Sequence, residues 1–375
     1  MRILVTGANG FVGRNLCAAL SARKDVQFSA FDVGMPRERL FSALGEAEIV
    51  FHLAGVNRPK EVDEYRVGNA ELTREICTWL REHGRRTKIV LTSSIQVELG
   101  NPYGESKRQA EEALSEYAAA TGASAVVYRL KNLFGKWCRP NYNSVTATFC
   151  HNIARDLPIE VSNPASQVEL TYIDDVMAAF LGELADSRPG YRLAEPLPSE
   201  RVTVGGLLTL IRSFRESRAN LLLPDFSRPF VRALYATYLS YLPPGGFAYC
   251  LEQKSDPRGV LAEFIKQPSM GQIFVSRTKP GITRGNHFHH TKVEKFMVLE
   301  GQARVRFRSI QGEEVLEYPV EGREFKVVDI PPGYTHSIEN VGQDELVTLF
   351  WSSQIFDPVQ PDTRFLQVNG VEKLQ

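Results

Sequence analysis

The chain opens Met1-Arg2-Ile3-Leu4-Val5-Thr6-Gly7-Ala8-Asn9-Gly10-Phe11-Val12-Gly13, and few folds accommodate that spacing. An apolar run ends directly in glycines three apart, and an amphipathic stretch follows. Gly7 permits a tight turn, Gly10 lets the backbone approach a pyrophosphate, and Gly13 lets the next helix pack close on the strand. The unpaired N–H groups and positive dipole end of such a helix receive phosphate. The segment Gly7, Asn9, Gly10, Phe11, Val12 and Gly13 is therefore expected to bind a dinucleotide. The same glycines interrupt the apolar core that a secretory leader requires.

Up to about residue 200, short apolar runs alternate with longer amphipathic stretches. "RILVTG", "VQFSAFD", "EIVFHLAG", "KIVLTSS" and "SAVVYRL" read as buried parallel strands. "GRNLCAALSAR", "NAELTREICTWLREHG" and "YGESKRQAEEALSEYAAATG" read as helices, the last with Gly122 as C-cap. Repeated strand–helix units predict an α/β fold of Rossmann type, a parallel sheet covered on both faces. Asp32 ends the second strand about twenty residues beyond the glycines, where a carboxylate takes the ribose hydroxyls of NAD. Arg37 and Arg39 follow and are suited to the 2′-phosphate of NADP instead. Both coenzymes remain open.

After the Pro-Pro-Gly-Gly breaker at 243–246 the texture changes. "GQIFVSRT", "KFMVLEG", "ARVRFRS" and "FKVVDI" are short alternating runs separated by turn residues, which predicts an all-β barrel. Two domains are expected, 1–243 and 244–375, a division that 375 residues readily support. Residues 201–243 read as helical and suit either the first domain or the space between the two. Lys plus Arg and Asp plus Glu number 44 each, so no overall field attracts nucleic acid or an anionic membrane. An anionic ligand must be held by local chemistry. No apolar run reaches the length of a membrane span. Cys17, Cys77, Cys138, Cys150 and Cys250 show no paired spacing and read as free thiols, in keeping with a cytoplasmic protein.

Tyr103 and Lys107 stand four apart in "NPYGESK", on one face of a predicted helix. An ammonium beside a phenol favours the phenolate, which is expected to lower the Tyr103 pKa toward the range of a general acid or base. Ser94 ends an apolar strand and can donate to a substrate carbonyl. In the second half, "GITRGNHFHHTKVEKFMVLEG" carries His287, His289 and Glu294, and "PPGYTHSIEN" carries His336 and Asn340. His287 and His289 alternate by two and face one side of a strand. Glu294 and His336, expected on neighbouring strands, complete a three-nitrogen, one-oxygen metal site. Zn²⁺ suits such a set first, and Mn²⁺, Fe²⁺ and Ni²⁺ use similar ones.

These motifs carry family resemblances. The Gly7/Gly10/Gly13 turn, "HLAG" (His52–Gly55, with Leu53, Ala54 and Gly55 beside the coenzyme), Asn69, Ser94, the Tyr103/Lys107 pair, "RLKNLFG" (Arg129–Gly135) and "TYIDDV" (Thr171–Val176) resemble the extended short-chain dehydrogenase/reductases. That family implies proton exchange by Tyr103, ribose binding by Lys107 and carbonyl polarisation by Ser94. Only eight residues separate Ser94 from Tyr103, fewer than is usual there, and the shortening is expected to open the substrate side. The histidine pattern resembles the cupin motifs, with Phe325 where the second motif has glycine. "DPRGVLAEF" (Asp256–Phe264) with "TRGNHFH" resembles the sugar-nucleotide 3,5-epimerases, cupins in which the residue matching His287 is a base. His287 is thus a ligand or a base, because coordination occupies the lone pair a base needs. With a metal present, Tyr334, Lys292 and Lys295 become the candidate proton shuttles.

Taken whole, with "FGKWCRPNYNSV" (Phe134–Val145), the chain is similar to the capsular-polysaccharide and O-antigen enzymes that join an extended reductase to a cupin. That likeness implies a homodimer with NADPH and zinc. It also implies C3 epimerisation of UDP-2-acetamido-2,6-dideoxy-β-L-arabino-hexos-4-ulose, then C4 reduction to the β-L-talose on the way to UDP-N-acetyl-L-fucosamine. Arg129, Asn132, Lys136 and Tyr142 are the expected UDP-sugar contacts, since a diphosphate takes Arg or Lys and a sugar takes amides and hydroxyls. The competing expectation is a plain nucleotide-sugar epimerase or dehydratase with a structural cupin.

Overall fold

The structure, a computed structural model, describes residues 1–370. The chain forms two compact units. The first holds Met1–Arg212 and Ser227–Pro243, and the second holds Ser213–Phe226 and the chain from Pro244 onward. The sequence-based division at 243/244 misses the exchange of Ser213–Phe226. In the second unit Leu222 bridges Lys266 in parallel, with N–H to O distances of 2.8 Å from Leu223 to Lys266 and from Lys266 to Leu221.

In the first unit, β1 (Arg2–Thr6), β2 (Gln27–Phe31), β3 (Ile49–His52), β4 (Lys88–Ser94), β5 (Ser124–Leu130) and β8 (Gly190–Leu193) form one sheet in the order β2-β1-β3-β4-β5-β8. Every neighbouring pair is parallel. The apolar runs serve two cores at once, because successive side chains point to opposite faces. Leu4, Val50, Ile89, Leu91 and Val127 join one cluster, while Ile3, Val5, Phe51, Val90 and Val126 join the other. A small second sheet of β6 (Asn132–Phe134), β7 (Gln167–Tyr172) and β9 (Glu200–Thr203) lies beyond the C-terminal end of β5. The chain leaves β1 for β2 on one side and returns to β3 on the other, which opens a crevice at the carboxyl ends of β1 and β3.

Local chemistry fixes the helices that border this crevice. α1 (Phe11–Ser21) starts at Gly10, and α2 (Arg37–Glu46) follows β2. α3 (Leu72–Glu82) continues a π-helical turn, Arg66–Glu71, which turns Asn69 inward. α4 (Pro102–Thr121) has Asn101 as N-cap, its side chain accepting from Gly104 N–H at 2.8 Å, with Pro102 at the first helical position. It ends at Gly122 in the left-handed conformation, φ 72°.

The second unit contains two antiparallel sheets. β10 (Lys254–Asp256), β11 (Gly259–Gln267), β12 (Gly271–Thr278), β19 (Leu346–Ser352), β14 (Glu294–Glu300) and β17 (Val327–Ile330) form one in that order. β16 (Val315–Glu321), β15 (Gln302–Ser309), β18 (Tyr334–Asn340), β13 (Thr283–Phe288) and β20 (Arg364–Phe365) form the other. Phe296, Val298 and Phe350 from the first sheet and Val305, Phe307 and Ile338 from the second make a shared core. Phe325, at the position where the resembling motif has glycine, sits at φ 48°, so the backbone keeps the glycine conformation without the glycine.

Candidate functional site

The crevice of the first unit widens into a cavity of about 1450 Å³, larger than one drug-sized ligand needs. Gly7, Asn9, Gly10, Phe11, Val12 and Gly13 line one end, with Leu53 and Gly55 after β3. Gly7 has φ 68°, and a Cβ there would lie 2.6 Å from the Ala54 nitrogen. The glycine turn and the "HLAG" segment are therefore in backbone contact. His52 fastens them from below. Its ring pairs with Thr6 Oγ1 at 2.7 Å and Thr73 Oγ1 at 3.0 Å, and burial, then the Lys107 charge, push its pKa down to about 3.

Asp32 is held against the same turn. Its Oδ2 accepts from Asn9 N–H at 2.5 Å and its Oδ1 from Val33 N–H at 2.8 Å. Arg37 lies 3.3 Å from Glu75. Asn69 sits below the cavity: its Nδ2 donates to Ser106 Oγ at 2.9 Å, and its Oδ1 accepts from Val56 N–H at 2.8 Å.

Ser94, Tyr103 and Lys107 all line the cavity. The short connection between Ser94 and Tyr103 is filled by a 3₁₀ turn, Ile95–Glu98, with Ser94 Oγ accepting from Gln96 N–H at 3.2 Å. Gly104 closes against it, since a Cβ there would lie 2.0 Å from the Gln96 carbonyl oxygen. The Ser94 and Tyr103 side chains are thereby brought into hydrogen-bond contact. One expectation is reversed. Burial dominates Tyr103 and raises its pKa, with the Ser94 hydrogen bond as a partial offset. The Lys107 Nζ stands 5.9 Å from the Tyr103 ring centre and donates to the Thr92 carbonyl at 3.2 Å. Burial lowers Lys107 to about 8, opposed by Glu111 one turn further along α4. The phenol is thus held protonated near neutrality, the state that can give a proton away.

The cavity wall carries Arg14, Arg58, Lys107 and Arg139, together with Lys131 that pairs with Glu169 at 2.6 Å, and, among its described residues, no carboxylate. A chain with no net charge therefore has a local cationic chamber, suited to phosphates. Sequence reading placed the substrate cations elsewhere. Arg129 is not among the cavity residues; its guanidinium holds Glu111, with Nε and Nη2 at 3.0 and 2.7 Å. Lys136 is likewise turned away, its Nζ 2.6 Å from Asp174 Oδ1. Asn132 and Tyr142 do line the cavity. Arg58 and Arg139, which sequence reading missed, lie 5.9 and 4.9 Å from the Tyr142 ring centre. Their signal was present in "GVNRP" and "WCRPNY", basic residues in proline-marked loops beside recognised motifs.

In the second unit His287, His289, Glu294 and His336 each offer a ligand atom, all within 4.8 Å of one another. They converge differently from the expected neighbouring strands. His287 and His336 face each other in register on β13 and β18, whereas Glu294 starts β14 in the opposite sheet. The cluster bridges the two sheets. His289 lies beyond the end of β13, and Asn286, at φ 57°, bends the strand before His287. The Nε2 atoms of His289 and His336 stand 3.4 and 3.6 Å from Glu294 Oε2 and make no hydrogen bond, although both rings are buried. Two lone-pair nitrogens and a carboxylate aimed at one point fit a divalent cation. Burial opposes ionisation of Glu294, yet the groups around it, the Lys292 ammonium among them, hold it well below the usual carboxylate range. Burial, then the neighbouring histidines, push His287 down to about 3. Of the proposed shuttles, Lys292 Nζ is 3.5 Å from Glu294 Oε1, and Tyr334 shares a face of β18 with His336. Lys295 is exposed and paired with Asp329, which removes it from the site.

Comparison with known proteins agrees with the two-part architecture. Residues 3–191 match the NAD dependent epimerase/dehydratase family, and residues 254–364 the Polysaccharide biosynthesis C-terminal domain. The chain is 43% identical over 97% of its length, and 98% of the relative's, to UDP-2-acetamido-2,6-beta-L-arabino-hexul-4-ose reductase of Pseudomonas aeruginosa. The chain belongs to the NAD dependent epimerase/dehydratase family. Within that family it is similar throughout to the crystal structure of the capsular polysaccharide assembling protein CapF of Staphylococcus aureus. That match has a TM-score of 0.91 and 45% identity, and it covers 98% of this chain and all of that one. The UDP-glucuronic acid 4-epimerase of Bacillus cereus, solved with NAD, shares the fold over 64% of this chain and 96% of that one, at 18% identity and a TM-score of 0.55. Family membership implies a nicotinamide coenzyme.

Proposed function

We propose that the chain is a bifunctional nucleotide-sugar enzyme that inverts C3 and then reduces the C4 ketone of UDP-2-acetamido-2,6-dideoxy-β-L-arabino-hexos-4-ulose. The product is UDP-2-acetamido-2,6-dideoxy-β-L-talose, on the route to UDP-N-acetyl-L-fucosamine. The observation that carries this reading is a protonated Tyr103 beside Ser94 and Lys107, in a carboxylate-free cationic cavity that shares a wall with the glycine turn. The P. aeruginosa relative, named as a reductase of this 4-keto sugar, supports the substrate.

NADPH, when bound, would supply the hydride to C4, and Arg37 and Arg39, which follow Asp32, would carry its 2′-phosphate. Tyr103 gives its phenolic proton to the C4 oxygen as that oxygen becomes an alkoxide, and Ser94 donates to the same atom. Lys107 stabilises the phenolate left behind. Arg58 and Arg139 hold the diphosphate, while Asn132 and Tyr142 meet the sugar and base.

In the second unit the reaction is proton transfer. A ketone at C4 makes the C3 proton acidic, because the carbanion is delocalised as an enolate. Reduction destroys that acidity, so inversion comes first. His287, His289, Glu294 and His336 would hold a divalent cation, Zn²⁺ first by donor type, which would supply Lewis acidity toward the ketone oxygen. His287 then serves as a ligand, and Tyr334 and Lys292 are the proton carriers nearest the cluster.

The test is NADPH oxidation by the full chain with the 4-keto sugar. Tyr103→Phe is expected to lower the rate by about two to four orders of magnitude while leaving coenzyme affinity unchanged. A wild-type rate in that variant would falsify the reductase assignment.

A further inference from the structure

One strap, running from Asp362 into β20, touches every segment that carries the first two histidines. β20 pairs with β13 at His287 opposite Phe365 and Phe288 opposite Arg364. Leu366 N–H donates to the Asn286 carbonyl at 2.9 Å, and Lys292 Nζ to Thr363 Oγ1 at 3.1 Å. The densest contacts are made by Asp362. Its backbone carbonyl lies 2.6 Å from His289 Nδ1. A carbonyl only accepts, so Nδ1 carries the ring proton and Nε2 carries the lone pair that faces Glu294. Its carboxylate spans the turn between His289 and Glu294. Oδ1 accepts from His290 N–H at 3.0 Å, and Oδ2 from Thr291 N–H, Lys292 N–H and Thr291 Oγ1 at 2.8, 2.9 and 2.9 Å.

We infer that Asp362 is a positioning residue for the His287/His289/Glu294/His336 cluster. Its side chain anchors the strap, and the anchored carbonyl fixes the His289 tautomer and aim. The inference rests on the cluster's reading as a cation site. Such outer contacts orient a ligand and are worth about 10- to 100-fold in metal affinity. A substitution at 362 keeps the backbone carbonyl but releases the strap that holds it in place. Asparagine, with one acceptor oxygen, keeps part of the anchor; alanine keeps none.

The test uses the full chain, with Co²⁺ affinity by competition against a chromophoric chelator, the visible Co²⁺ spectrum, and the ¹⁵N shifts of the His289 ring in apo protein. Asp362→Ala is expected to weaken Co²⁺ by about 10- to 100-fold and to lose the Nδ1–H signature of His289. Asp362→Asn is expected to fall between that variant and wild type, and it remains informative if the alanine variant does not fold. Wild-type binding with unchanged affinity and an unchanged His289 tautomer in both variants overturns the proposal alone. Failure of the wild-type chain to bind Co²⁺ or Zn²⁺ overturns the metal reading, and this proposal with it.

Discussion

Gly10 and Gly13 belong to one motif but do different physical work, and alanine at each separates the two. A Cβ on Gly13 would lie 2.1 Å from the Gly7 carbonyl oxygen and 2.7 Å from Ala8 Cα. The backbone must shift, at an overpacking cost of about 1–3 kcal/mol, partly offset by about 1 kcal/mol of helix propensity. Because the clash is with backbone rather than with a flexible side chain, the cost falls at the upper end of that range and about 2 kcal/mol remains. At roughly 2–4 °C of Tm per kcal/mol for a domain of this size, Gly13→Ala is expected to lower the first unit's Tm by about 4–8 °C. A Cβ on Gly10 meets only the Gly7 oxygen, at 3.1 Å, and Gly10 has φ −71°, which any residue adopts. Gly10→Ala should therefore leave Tm within about 1–2 °C, equivalent to less than ~0.5 kcal/mol. Its methyl instead occupies the approach to the α1 N-terminus. Losing one charge-assisted hydrogen bond to phosphate costs about 1.5–3 kcal/mol, or a 10- to 150-fold rise in Kd. Thermal unfolding and coenzyme fluorescence titration read the two effects. The reasoning is refuted by wild-type coenzyme affinity in Gly10→Ala or by wild-type Tm in Gly13→Ala.

Phe325 sits at φ 48° with its side chain exposed. A left-handed L-residue costs about 1–2 kcal/mol, of which glycine's unfolded-state entropy returns part. Phe325→Gly should stabilise the second unit by about 0.5–1 kcal/mol in denaturant unfolding, and destabilisation would contradict the assignment. Lys107, lowered by burial to about 8, loses its charge as pH rises through that value. Reductase activity should fall above pH about 8, and Lys107→Arg should move the fall upward. Because the unfolded lysine keeps its proton to about 10.5, stability should rise with pH across that interval. Arg139→Gln is expected to raise KM for the sugar nucleotide about tenfold without changing Tm. Arg129→Gln should do the reverse, costing about 3–5 kcal/mol by stranding buried Glu111.

Local signals carried much of this protein into view. The glycine turn and the Gly122 cap are short-range devices whose meaning is set by a few adjacent residues. The apolar run in "KIVLTSS" predicted a buried strand, though which core each residue joins depends on the sheet. What stayed hidden is tertiary. Arg129 looked available to a phosphate until the fold set it against Glu111 from α4. Tyr103 was expected to have a lowered pKa from the spacing to Lys107; the burial that reverses the direction is not written in a four-residue interval. Glu294 reads as a neighbour of His336 and lies on the opposite sheet. Asp362 acts on His289 across 73 positions, with no periodicity linking them.

The most direct test of the two-site account is deuterium incorporation at C3 when the full chain meets the 4-keto sugar in D₂O without coenzyme. Wild type and Tyr103→Phe should both wash deuterium into C3, because inversion needs only the second unit. His336→Ala, which removes a buried member of the cluster, should abolish the exchange. Label at C3 in wild type and Tyr103→Phe but not in His336→Ala is the predicted result. No label in wild type, or equal label in all three, would contradict it.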